Sequence, residues 1–169
     1  MYILGMKEQS IKYLDTTLGR KIVISANFKI SEQFNKEILM AIKLVEMEMI
    51  YQNIDIDRLK PTNFIFTNFG KIEIEMEAIG NHIQFCVIDY SKLEKITVQN
   101  ARLCIMIEEL VHRYWNYDDE MKIKYIDIEI LKRLDSTVKI EDIFNLESIL
   151  EEQKNQSLVL TPDYFNYMV

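Results

Sequence analysis

Between residues 31 and 53 the apolar side chains Phe34, Ile38, Ala41, Ile42, Val45 and Met49 recur at helical spacing. Only a long amphipathic helix puts all six on one stripe, and such a stripe must be buried against another layer. Ser31 offers an N-cap and Glu32 an acidic first turn, so the helix is expected to start there and to end near Asn53.

What precedes and follows this helix has a different period. Lys21 to Lys29 alternates Ile22, Ile24 and Ala26 with Val23, Ser25 and Asn27, the pattern of a strand. Beyond the polar stretch Asp55 to Asn63 come three extended runs, Phe64 to Phe69, Lys71 to Ile79 and His82 to Tyr90, with Gly70 and Gly80-Asn81 at the reversals. Ile72, Ile74 and Met76 oppose Glu73, Glu75 and Glu77, so one strand face is acidic and wet. His82, Gln84, Cys86 and Ile88 oppose Ile83, Phe85 and Val87, and this run is expected to be more central and covered on both faces. The reversals predict a small antiparallel sheet of three or four strands.

Helical periods return after residue 97. One long helix is expected from Thr97 or Asn100 to about Trp115, a second over Asp119 to Leu134 and a third over Glu141 to Lys154; Met6 to Leu14 reads as a short helix. The fold class is therefore α+β, a sheet packed against about four helices. With four Gly, two Pro and no composition break, residues 1–169 read as a single domain. Residues 157–169 form an apolar tail, whose Tyr164, Phe165 and Tyr167 are candidate interaction residues that either dock in cis or meet a partner.

The formal charge of −7 repels phosphate backbones and disfavours nucleic acid as a partner. No apolar stretch is long enough to cross a bilayer, and Cys86 and Cys104, 18 positions apart, form no CxxC motif; a reducing, cytoplasmic setting is expected. The abundance of Ile, Lys, Asn and Glu suits a bacterial or phage source. No nucleophile elbow, GxGxxG or GxxxxGK[ST] motif is present. Tyr114, Trp115 and Tyr117 are expected to pack at a helix end, and Met40, Met47 and Met49 to fill the core.

One constellation carries chemistry. In Glu108-Glu109-Leu110-Val111-His112, Glu108 and His112 share a helix face with Ala101 and Ile105, whereas Glu109 turns about a hundred degrees away, beside Arg102 and Arg113 on the expected solvent face. A partly buried carboxylate and imidazole need partners, and each can find one in the other.

Extended runs followed by a helix bearing E-E-L-V-H resemble the zincin metallopeptidases, with their strand and H-E-x-x-H helix. The resemblance implies zinc held by His112, with Glu108 at the place of the first histidine, and Glu109 as the catalytic base. A further ligand would come from Asp118, Asp119, Glu120 or Glu129. Asp118-Asp119-Glu120 are also explained as the acidic opening of a helix.

Two functions follow. The first is a non-enzymatic interaction or regulatory protein that meets a protein partner through acidic faces and the aromatic tail, without a cofactor and with homo-oligomerisation left open. The alternative is a zincin-like, zinc-dependent hydrolase.

Overall fold

A computed structural model of the chain describes residues 2–3, 6–8, 15–68, 74–75, 85–97, 100–115 and 119–145, together with 147 and 151. Its strands are β1 (Tyr2–Ile3), β2 (Lys7–Glu8), β3 (Ile22–Ala26), β4 (Thr62–Thr67), β5 (Ile74–Glu75) and β6 (Phe85–Asp89). The helices are α1 (Glu32–Tyr51), α2 (Tyr90–Leu93), α3 (Ala101–Trp115) and α4 (Glu120–Leu131).

The class is α+β, but the sheet is not the expected antiparallel one. β3, β4 and β6 lie side by side and parallel, with β4 in the middle, and only the short β2 runs antiparallel, on the outer edge of β3. The physical reason is the β3-α1-β4 crossover: a helix between two neighbouring strands returns the chain to its starting end, so both strands point the same way. β4 and β6 are not joined as a hairpin either, since β5, which lies between them in the chain, pairs with β1 in a separate two-stranded sheet.

α1 starts as its sequence dictates. The Ser31 hydroxyl accepts a hydrogen bond from the Phe34 N–H at 3.1 Å, and Asn53 ends the helix in the left-handed region at φ 57° while the Ile54 N–H closes on the Met49 carbonyl. Phe34, Ile38, Ala41, Ile42, Val45 and Met49 are all buried. Phe34 meets Phe66 of β4 edge to face, with ring centroids 5.1 Å apart. Ile22, Ile24, Phe64, Phe66 and Ile88 extend the same core into α3 and α4 through Met106, Ile107, Leu110, Ile123 and Ile130.

Several expectations are corrected. Met40 and Met47 are exposed and only Met49 fills the core, because the two lie on the α1 stripe opposite Phe34 and Ile38. β6 flanks the sheet; Cys86 and Ile88 turn inward while Phe85 and Val87 stay exposed. Lys7–Glu8 is strand where a short helix is expected, since it pairs with Ala26 and Ser25. At the start of the expected 141–154 helix the chain makes a single 3₁₀ turn, Ile140–Asp142. Residues 9–14, most of 146–154, and the whole 157–169 tail with Tyr164, Phe165 and Tyr167 lie outside the described residues, as does the strand face of Glu73 and Glu77.

Candidate functional site

α3 and α4 are consecutive helices that pack as an antiparallel pair, and their polar residues face each other across the seam. On α3 the row is Cys104, Glu108 and His112; on α4 it is Glu120, Lys124 and Asp127, at the i, i+4, i+7 spacing of one stripe. α4 starts at Asp119, whose carboxylate accepts from the Met121 and Lys122 N–H groups and so caps the helix as its acidic opening predicts. Ile123 and Ile130 on one side of the α4 row and Ile128 on the other are buried, which draws the polar side chains between them toward the seam.

Glu108 and His112 are partly buried, with side-chain exposures of 21% and 33%. They do not satisfy each other: His112 Nε2 stands 3.9 Å from Glu108 Oε1 and 3.6 Å from Glu120 Oε2, both beyond a normal hydrogen bond. Glu108 is instead held by the buried Lys124 ammonium, which also lies 4.0 Å from Glu120 Oε2 and over the Phe144 ring at 4.9 Å. Glu108, His112 and Glu120 each bring one potential ligand atom into a group spanning no more than 4.8 Å. Among the four acids that the sequence offers as a third ligand, the fold brings Glu120 to His112; Asp119 is spent on its cap, and Asp118 lies outside the described residues.

Asp127 sits deeper. It is wholly inaccessible, and among the described residues neither carboxylate oxygen has a hydrogen-bond partner. Burial, followed by the charge of Glu108, pushes its pKa up to about 8, against the downward pull of Lys124 and with smaller upward contributions from Glu120 and Glu109. Burial, followed by the charges of Asp127 and Glu108, pushes the Cys104 thiol up to about 12. Neither Lys124 nor Asp127 stood out in the sequence. The available signal was their position, polar residues at the centre of the Ile123, Ile130 and Leu131 stripe.

The expected solvent face of α3 is occupied by tertiary bonds, because the helix is packed on more than one side. Arg102 donates to Glu37 of α1 through Nε and Nη2 at 2.9 and 2.6 Å, and Arg113 donates to the Thr62 hydroxyl of β4. Glu109 Oε2 accepts from the Cys86 thiol of β6 at 3.2 Å. Desolvation and this neighbouring carboxylate drive the Cys86 pKa far upward, so its thiol stays protonated. The residue cast as catalytic base is thereby bonded to the sheet and not to a group in the seam.

Chemically, the seam can hold a proton on Asp127, balance two exposed-side carboxylates against one ammonium, and present one imidazole and two carboxylates to a cation. The second exposed feature lies on α1, where Met40, Met47, Ile50 and Tyr51 stand 42, 50, 62 and 75% exposed. No helix among the described residues is long and apolar enough to cross a membrane. The sequence matches no protein-family model, and no curated protein or solved structure matches it.

Proposed function

We propose that this chain is a non-enzymatic interaction protein that receives a protein partner on the outer face of α1. The observation that carries the reading is the stripe Met40, Met47, Ile50 and Tyr51, which a helix places on one side and which here faces solvent. Methionine suits such a surface because its unbranched, polarisable side chain adapts to a partner's shape. Exposed Lys43 lies within the stripe, so the fitting partner is an apolar face bordered by acids. Met40 also lines a cleft of about 760 Å³ at one end of the stripe, where Ile96, Leu103 and Leu134 stand beside the charged Lys36, Glu37, Glu94 and Arg102.

The engagement of Glu109 by Cys86 supports this reading over a zinc-dependent hydrolase, which requires that acid at the reacting centre. The convergence of Glu108, His112 and Glu120 is the observation that favours the hydrolase.

The test is site-specific photo-crosslinking from positions 47 and 50 of the full chain in its host cell, with exposed Lys29 as the control position. Discrete adducts from 47 and 50, absent from 29 and abolished by Met40→Glu, are expected. Equal crosslinking from all three positions, or none above background, would count against the proposal. Removing residues 157–169 separates the contribution of Tyr164, Phe165 and Tyr167.

A further inference from the structure

We infer that the α3/α4 seam is a divalent-cation site in which Lys124 acts as a resident counter-cation, so that Glu108, His112 and Glu120 take up a first-row metal ion when the ammonium swings aside. The inference is independent of the α1 surface.

Two imperatives of charge shape the seam. Glu108 and Glu120 approach a common point and would repel each other there without a cation between them. Lys124 fills that role, touching Glu108 directly and standing 4.0 Å from Glu120. An ammonium and a hydrated metal ion compete for such a place, and the imidazole tips the choice, because a ring nitrogen is a ligand that zinc and similar ions favour. The three ligand atoms lie within 4.8 Å of one another, and a tetrahedral zinc shell needs roughly 3.3 Å between ligands. Rotamer adjustments of half-buried side chains close that gap.

A second observation points to the same seam. Asp127, wholly buried one helical turn beyond Lys124, has no hydrogen-bond partner for either carboxylate oxygen among the described residues. It lies on the same α4 stripe as Glu120 and Lys124, at the i, i+4, i+7 spacing. An orphaned carboxyl in an apolar interior is costly and calls for a partner that the resting arrangement does not provide. A displaced Lys124 would provide it. The Phe144 ring, 4.9 Å from the Lys124 ammonium, adds a face on which the cation can rest as it turns.

This account makes Lys124 an antagonist of metal binding, which a purely structural ion pair is not. Zinc titrated calorimetrically into the full chain is expected to bind about ten- to a hundredfold more tightly to the Lys124→Met variant than to the wild type. In the Lys124→Met background, His112→Ala or Glu120→Gln should remove that gain, and Mg²⁺, which prefers oxygen ligands and keeps its waters, should show none of it. A Lys124→Met chain that binds zinc no more tightly than the wild type, or whose tight binding survives His112→Ala, overturns the inference. Should Lys124→Met fail to fold, Co²⁺ at roughly millimolar concentration with the wild-type chain decides. A visible ligand-field band that His112→Ala abolishes supports the site, and its absence, or its persistence in His112→Ala, overturns it.

Discussion

Asp127 makes the stability of this protein fall as pH rises. Its carboxyl has the ordinary aspartate pKa near 3.8 when the chain is unfolded, and burial in the native seam pushes it up to about 8. Between those values the native state holds one proton that the unfolded state has released. The stability tied to this group is therefore fully present below the unfolded value, declines as pH rises, and is lost once pH passes the native one. One proton corresponds to about 1.4 kcal/mol per pH unit, so from about pH 5.5 to 7.5 the loss approaches 2.7 kcal/mol at full strength. Relaxation around the ionised carboxylate, or its capture by Lys124, reduces this to about 2 kcal/mol.

The measurement is urea unfolding of the wild type and of Asp127→Asn at half-unit steps of pH, followed by far-ultraviolet circular dichroism. Every other titrating group is common to the two chains, so the difference between their unfolding free energies isolates Asp127. That difference should move steadily in favour of Asp127→Asn as pH rises from about 5 to 8 and flatten above the native pKa. A difference independent of pH over that window would refute the reasoning. It would mean that the carboxylate is already ionised in the native state and paired with Lys124.

Further outcomes follow from other contacts. Arg133 donates to the buried Glu48 through Nε at 2.9 Å, so Arg133→Met should lower unfolding free energy by roughly 3 kcal/mol, and the double variant with Glu48→Met should recover most of it. Ser31→Ala removes the α1 cap and should cost about 1 kcal/mol by the same assay, with Ser31→Asp close to wild type. Both thiols are held protonated, so at about pH 8 iodoacetamide should label Cys86 and Cys104 on the order of a hundredfold more slowly than in the urea-unfolded chain; labelling at equal rates would contradict the burial assigned to them.

The positions of α1, α3 and α4 were legible because period 3.6 identifies both the element and its buried face. The Phe34 to Met49 stripe is buried throughout, and the expected ends near Ser31 and Asn53 bracket Glu32–Tyr51. Strand direction was not legible. Alternation tells which side chains share a face and is blind to whether neighbours run up or down, so Gly70 and Gly80-Asn81 invited a meander although β4 and β6 are parallel. The exposed methionines were misplaced for a related reason: Met40 and Met47 are apolar by composition, yet they fall on the α1 wheel opposite Phe34 and Ile38.

The seam shows where a one-dimensional reading of chemistry stops. Glu108 and His112 are one turn apart, and local spacing makes them a couple. In three dimensions each has a nearer claim across the helix pair, Lys124 for Glu108 and Glu120 for His112. Those partners are set by the register of α4 against α3, and the residues beside the polar rows, Ile123 and Ile130 on α4 and Val111 on α3, are buried in the apolar core. A slip of α4 by one residue would carry Lys124 about a hundred degrees around its helix and leave Glu108 without its cation, at a cost of several kcal/mol. Apolar packing thus selects the pairing, and the pairing penalises every other packing. This reciprocal constraint explains how six titratable side chains persist between two apolar helix faces.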